Sequence, residues 1–183
     1  IFTGGLGVAN NVLETCQISD PLTRSATPAD SMGMPRVMHT ATALQDGRVL
    51  VVGGSQAFDI SIDIGYPASF SAMTATAEVY DPVTDDWSPV GFLPGITGLT
   101  AHASVLMGDG RVLIAGGAIP SGGPGGASTT AAAFFYLPIA NTLVPASPMP
   151  QPTAFHGGTP TADGGALFVG GGFLDFVAED ILE

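Results

Sequence analysis

The sequence predicts an all-β fold assembled from repeated four-stranded units. Three observations carry this. One tract recurs three times without a gap, each copy holds an Asp-Gly pair between two strand-like runs, and each copy ends in Gly-Gly. The composition agrees: of 183 residues, 26 are Gly, 15 are Pro and 45% are hydrophobic, as expected for many short strands joined by tight turns.

The tract appears first at 38–54, Met-His-Thr-Ala-Thr-Ala-Leu-Gln-Asp-Gly-Arg-Val-Leu-Val-Val-Gly-Gly. It returns at 101–117 as Ala-His-Ala-Ser-Val-Leu-Met-Gly-Asp-Gly-Arg-Val-Leu-Ile-Ala-Gly-Gly, and at 155–171 as Phe-His-Gly-Gly-Thr-Pro-Thr-Ala-Asp-Gly-Gly-Ala-Leu-Phe-Val-Gly-Gly. An earlier Gly4-Gly5 matches the end of the unit. Repetition on this scale marks units that bury their apolar faces on one another. Small and alternating side chains from His39 to Leu44 suit an inner strand. Asp46-Gly47 predicts a two-residue type I′ hairpin turn, whose positive φ angles both residues tolerate. Arg48 to Val52 is an apolar second strand. Gly53-Gly54 ends it where a neighbouring backbone must come close. Asp109-Gly110 with Gly116-Gly117, and Asp163-Gly164 with Gly170-Gly171, repeat the pattern.

A second half follows each Gly-Gly pair. It is clearest in Ala77-Glu78-Val79-Tyr80-Asp81-Pro82-Val83-Thr84-Asp85-Asp86-Trp87, and is matched by Cys16 to Thr23 and by Ala133 to Ala140. Proline in each breaks the ladder and starts a turn, after which a short outer strand runs into Pro-rich text. Four short strands in sequential hairpins make a propeller blade. The chain then divides into a partial blade at 1–34, whole blades at 35–97 and 98–150, and a partial blade at 151–183. This is an arc of about three and a half four-stranded blades and roughly 14 strands. Such an arc leaves two sheet faces without the neighbour that covers every other one, so it is expected to be part of a larger ring, completed by remaining propeller blades or a protein partner. The opening Ile1-Phe2-Thr3 fits the end of a strand, consistent with a processed N-terminus or a segment of a longer chain.

Gly53-Gly54, then Tyr80, then Trp87 resembles the kelch repeat. The other units are degenerate: Ser19 and Ala26, or Tyr136 and Leu143, stand at the aromatic positions. The whole tract is similar to bacterial kelch proteins and to the propeller of galactose-oxidase-like proteins. The resemblance implies a kelch-type β-propeller and leaves function open, because propellers host many activities.

Charge narrows the partners. Sixteen acidic residues face four Arg and no Lys, for a net charge of −12. Without a basic footprint the chain is not expected to bind nucleic acid, and no apolar run is long enough for a membrane span. Proteins and neutral glycans remain. The lone Cys16 excludes an internal disulfide framework. The acidic, lysine-free surface suits a secreted, periplasmic or cell-surface protein.

Two sets of residues are candidates for chemistry. His39, His102 and His156 occupy one repeat position, so each is expected to tie neighbouring blades rather than converge on a metal. With Gly53, Gly54, Gly116, Gly117, Tyr80 and Trp87 they form the structural signature. Arg36, three before His39, is matched by Leu99 and Thr153 and adds nothing to a histidine site. The loop from Ser55 to Ala75 is the most unusual segment. Its oxygens at Asp59, Ser61 and Asp63 have the spacing of a calcium loop, but Ile64 stands where such a loop needs Gly. Alternation of Ile with polar residues favours a small β-hairpin. The matching loop, Ala118 to Thr130, is Gly-rich and flexible by composition. Both loops emerge on one face, which makes Asp59, Asp63, Tyr66 and Phe70 the expected contacts for a ligand. The expected function is a non-enzymatic binding or scaffold module with no cofactor, calcium being the one candidate. The alternative is the propeller portion of a secreted copper oxidase or another carbohydrate-active enzyme. Only three tyrosines are present, two of them at repeat positions, and no Ser-His-Asp or paired-carboxylate spacing stands out.

Overall fold

The computed structural model describes residues 1–8, 11–59, 69–121, 126–173 and 175–176. Strands β1 (Phe2–Thr3), β2 (Cys16–Asp20) and β3 (Ser25–Ala29) form a first, three-stranded sheet. Strands β4 (Thr40–Ala43) and β5 (Val49–Val52) form a hairpin, and β6 (Ser55–Asp59) and β7 (Ser69–Met73) form a separate pair beyond it. The chain then returns through β8 (Thr76–Asp81) and β9 (Asp86–Phe92), completing a second, four-stranded sheet in the order β4-β5-β8-β9.

The next unit repeats this plan. Strands β10 (Ala103–Leu106) and β11 (Val112–Ala115) form the hairpin, and β12 (Ala118–Pro120) and β13 (Ala127–Thr129) form the insertion. With β14 (Ala133–Leu137) and β15 (Thr142–Ala146), the third sheet has the order β10-β11-β14-β15. A fourth sheet pairs β16 (Ala154–Pro160) with β17 (Ala166–Gly172), and β18 (Asp175–Phe176) joins the edge of β13. All pairings are antiparallel, and all but β5–β8, β11–β14 and β13–β18 join consecutive strands, giving a propeller-like series of small meander sheets. Among the described residues there are eighteen strands, more than the sequence suggests, because the insertions contribute β6, β7, β12, β13 and β18. The last expected strand, within 177–183, lies outside the described residues.

Alternation along each second strand explains the packing. Val51 faces back toward Cys16 and Met32 of the first unit. Leu50 and Val52 face forward and share one core with Val112, Ile114, Phe134 and Tyr136 of the third sheet. A strand flanked by sheets on both sides must be apolar at every position, and Leu50, Val51 and Val52 are all completely buried.

The hairpin turns differ from the type I′ expectation. Leu44 N–H donates to Arg48 C=O and Gly47 N–H to Leu44 C=O, so three residues, Gln45 to Gly47, form the loop. Only Gly47 has positive φ, at 89°, and Asp46 does not. This is a type I turn closed by a glycine in the left-handed region, the three-residue solution to the same twist requirement. Asp46 serves instead as an acceptor for the Arg48 N–H. Gly110 and Gly164 repeat the arrangement.

A second repeated turn joins third and fourth strands. Arg24, Asp85 and Asn141 adopt positive φ there. The Tyr80 hydroxyl donates to Asp85 Oδ1 (2.7 Å) and that of Tyr136 to Asn141 Oδ1 (2.9 Å). A buried tyrosine thus finds a hydrogen-bond partner in the same short side chain that tolerates the left-handed turn. Burial and the Asp85 carboxylate push the Tyr80 phenol up to about 12.

Gly47 and Gly53 of the first whole unit should respond differently to alanine. At Gly47 an added Cβ has open space and meets only the φ penalty, about 1–2 kcal/mol. At Gly53 it would collide with the Leu99 carbonyl and the His102 ring, costing on the order of 3 kcal/mol or more. Urea midpoints of Gly47→Ala and Gly53→Ala check the order, and equal midpoints would refute the close-approach account.

Candidate interaction surfaces

The Gly-Gly pairs are joints between consecutive sheets. The second glycine donates its N–H to the carbonyl three residues before the histidine of the next sheet: Gly5 to Arg36 (2.8 Å), Gly54 to Leu99 (2.8 Å) and Gly117 to Thr153 (2.7 Å). A Cβ on the first glycine, Gly4, Gly53 or Gly116, would meet that same carbonyl and the Cε1 of His39, His102 or His156. A Cβ on the second, at Gly54 or Gly117, would meet the segment that leads into the first strand of its own sheet. Two adjacent glycines are required because backbone arrives from both sides.

The histidines lie in these joints. His39 Nε2 shares a 2.8 Å hydrogen bond with Thr3 Oγ1, and His102 Nε2 one of 2.8 Å with Thr40 Oγ1. The position that supplies Thr40 to His102 holds Ala103 for His156, whose Nε2 lacks a partner in hydrogen-bond geometry among the described residues. Burial pushes His39 down to about 4, aided by the Arg36 charge, and His102 to about 3; His156 is lowered by the same cause. Neutral imidazoles therefore fill the joints at ordinary pH. Among the described residues no group of three His, Cys, Asp or Glu could hold a metal ion.

Arg36 is the residue that sequence reasoning set aside. It is completely buried at the first joint. Its Nη2 contacts Glu78 Oε1 (2.7 Å) and Thr76 Oγ1 (2.6 Å), and its Nη1 donates to the Gly53 carbonyl (2.7 Å). Glu78 Oε2 accepts from Gly33 N–H (2.8 Å). The available signal was Glu78 itself, an acid inside the apolar run Ala77 to Tyr80 that required a buried cation. A groove of about 370 Å³ opens beside this pair, bordered by Met34, Trp87, Pro89 and Phe92. Trp87 Nε1 donates to the Asp30 carbonyl across it, and its ring lies 5.2 Å from that of Tyr80.

The two ends of each second strand lead to different surfaces. At one end, the turns pair Arg48 with Asp46 and Arg111 with Asp109. Arg111 also covers the Phe135 ring at 4.1 Å, and a cleft of about 310 Å³ lies between these turns and Ile139. At the other end are the insertions. Asp59 and Phe70 lie on β6 and β7, with Asp59 paired to Ser69 and Phe58 to Phe70 in the ladder. Ser61, Asp63 and Tyr66 lie outside the described residues, as does most of the proposed calcium spacing. The residues flanking the Gly-rich stretch are paired, Ala118, Ile119 and Pro120 with Thr129, Ser128 and Ala127. The far edge of β13 then pairs with β18, Ala127 with Phe176 and Ser128 with Asp175. Insertions of consecutive units are thereby knitted into one small sheet.

The last sheet presents a face that the others cover. Leu167 and Val169 are 51% and 60% exposed, while Leu50 and Val52, at the same repeat positions, are 0% exposed. Phe173 beside them is 69% exposed.

No protein-family model matches the chain, and no curated protein matches it. Solved structures do. One, titled "Structure of YjhT", superposes with a TM-score of 0.66 at 19% sequence identity, covering 88% of this chain and 53% of that one. The likeness shows a shared β-propeller-like fold, and the chain spans about half the length of that structure.

Acid should loosen the joints. A depressed histidine stays neutral in the fold but protonates when unfolded, so its contribution is complete above about pH 6.5. It falls as pH drops toward about 4 for His39 and about 3 for His102, by up to about 1.4 kcal/mol per unit for the fully buried His102. Denaturation at pH 7.5 and 5.0 should show lower stability at 5.0, with a smaller drop in His102→Gln. Separately, Glu78→Gln strands the Arg36 charge and should cost on the order of 3–5 kcal/mol, whereas the paired replacement Arg36→Met with Glu78→Leu should cost less. A double variant as damaged as the single one in thermal melts would contradict that.

Proposed function

We propose that this chain is a stretch of kelch-type β-propeller acting as a non-enzymatic binding or scaffold module for a protein partner, outside the cytoplasm. The two four-stranded sheets are whole blades, and the three- and two-stranded sheets are parts of blades at either end of an arc. One observation carries the binding reading: the insertions of neighbouring units join each other through β13 and β18 on one side of the sheets. A row of separate loops would be an adaptable but entropically costly surface. Strands that share hydrogen bonds between units offer a pre-organised one, and long insertions in repeat proteins commonly gather on the binding side. The expected contacts are Asp59, Asp63, Tyr66 and Phe70. The net charge of −12 selects neutral or basic partners and disfavours polyanions.

The opposite side supports this division of labour. Its turns are short, and the two arginines there are paired with their own turn aspartates, which leaves little free charge for recognition. The histidines serve the joints and contribute no exposed acid or base.

Shortening both insertions, by replacing 56–72 and 119–128 with short Gly-Ser turns, tests the reading. Proteins retained by the immobilised wild-type chain should be lost from the shortened variant at matched folding and loading. Retention unchanged by the deletion would sink the assignment of this side. Copper analysis of the purified chain checks the oxidase alternative: stoichiometric copper would overturn the non-enzymatic reading.

A further inference from the structure

We infer that the groove beside Trp87, between the first and second sheets, takes an arginine side chain of a protein partner. This rests on the reading of the chain as a module for a protein partner and adds a contact separate from the tips of the insertions.

The groove is held open by the fold around it. Glu78 pairs with Val51 on one side and with Pro89 on the other, so these three lie on the face of the second sheet that is turned toward the first unit. Trp87, two residues before Pro89, shares that face. The segment after β3 forms the opposite rim, and it is anchored at several points. Asp30 N–H donates to Asp85 Oδ1 (3.0 Å), the Asp30 carbonyl accepts from Trp87 Nε1 (2.9 Å), and Gly33 N–H donates to Glu78 Oε2 (2.8 Å). Gln56 Nε2 donates to the Met34 sulfur (3.2 Å). The space between, about 370 Å³, is of the size that small-ligand sites have. A partner cannot simply extend the sheet here. The free edge of β9 carries Pro89, which has no N–H, and a bulge, since Ala77 pairs with Gly91 but Glu78 with Pro89. Both devices block pairing at an edge, so recognition passes through side chains.

The chemistry on offer selects a cation with a planar head and an apolar stem. The Arg36 guanidinium is spent inside the fold. Its Nε and Nη2 go to Glu78 Oε1, its Nη2 also to Thr76 Oγ1, and its Nη1 to the Gly53 and Thr76 carbonyls. An anion entering the groove would find no guanidinium to receive it and would face carboxylates. The acceptors have capacity left. Glu78 Oε2 takes one hydrogen bond, from Gly33, and a carboxylate oxygen has room for a second. Asp30 is exposed at the rim, and among the described residues no ion pair reaches its carboxylate. Burial raises the thiol of Cys16, packed in the cluster that Trp87 joins, and the charges of Asp30 and Glu78 add to that rise, so the local field is negative. Trp87 and Phe92, the latter 73% exposed, supply ring surface along the groove. A guanidinium stacks on such rings better than an ammonium does, because it is planar and more weakly hydrated. Met34 and Pro89 offer apolar surface to its methylene stem, as long basic side chains require. The net charge of −12 draws such a partner in.

Trp87 is the one tryptophan of the chain, so its fluorescence reports the groove directly. The probe is the tripeptide acetyl-Gly-Arg-Gly-amide, titrated into the full chain at low salt, with the same tripeptide carrying neutral citrulline as control. The expected result is a saturable change in Trp87 emission with the arginine peptide, roughly tenfold weaker affinity for the citrulline peptide, and weakening of the arginine peptide as salt is raised. Asp30→Asn and Phe92→Ala should each lower its affinity about threefold. Both side chains are exposed, so neither substitution threatens the fold, and unchanged thermal melts confirm that. Absence of a saturable change overturns the inference. So does equal binding of the citrulline peptide, or binding indifferent to both substitutions. A saturable response to methyl glucoside with none to the arginine peptide would make the groove a glycan site and overturns it as well. The titration uses the unshortened chain and a defined peptide, whereas shortening the insertions is read by capture of partners, so either reading can fail without the other.

Discussion

The joint between a glycine pair and the next sheet's histidine segment is the contact on which the rest of this structure depends. Small antiparallel sheets that meet face to face have no hydrogen bonds between their faces, and apolar packing alone tolerates sliding. A backbone N–H to carbonyl bond at each joint removes that freedom. It can form only if the backbone approaches without a side chain, which is why both residues are glycine, with positive φ in each pair. The neutral histidine fills the adjacent space and, in two joints, adds a hydroxyl contact. Register along the series is thus set by a polar link that the apolar core then seals.

The joints also explain how a chain rich in glycine stays specific. Glycine costs conformational entropy wherever it is ordered, and many residues of this chain are glycine. Much of that cost falls at the hairpin turns and joints, where no other residue fits. Elsewhere the burden is carried by Val, Leu, Ile and the two repeat tyrosines, whose hydroxyls are satisfied by Asp85 and Asn141 within the same turn. Among the described residues the one buried ion pair, Arg36 with Glu78, is a local addition at the first joint rather than part of the repeat.

Much of this was legible in the sequence, for a physical reason. Strand pairs, turns and close approaches depend on residue types at short range, and the three ungapped copies displayed them at fixed offsets. The four-stranded order of the two central sheets follows from that pattern. The turn type was misjudged because Asp-Gly serves both a two-residue and a three-residue loop, and the choice depends on whether Leu44 pairs with Arg48. Pairing of β12 with β13 was hidden by the glycines between them, and the second partner of β13, β18, lies some fifty residues on. Arg36 was invisible for the opposite reason. Comparison between repeats highlights what recurs, and an ion pair made once, within one unit, does not recur. Of the residues expected to bind a ligand, Asp59 and Phe70 lie on the β6–β7 ladder, and Asp63 and Tyr66 fall outside the described residues.

The substitution of Ala103 where the preceding sheet carries Thr40 reaches further than one missing hydroxyl. Among the described residues, the first joint holds a histidine–threonine bond and an ion pair, and the second holds a histidine–threonine bond and a Thr42–Ser104 contact. The third holds neither kind of histidine link nor an ion pair. Because each sheet touches only its neighbours, the series is graded in strength along the chain. Local opening should therefore cost least at the joint between the third and fourth sheets, so that this joint is the one most able to yield and re-form.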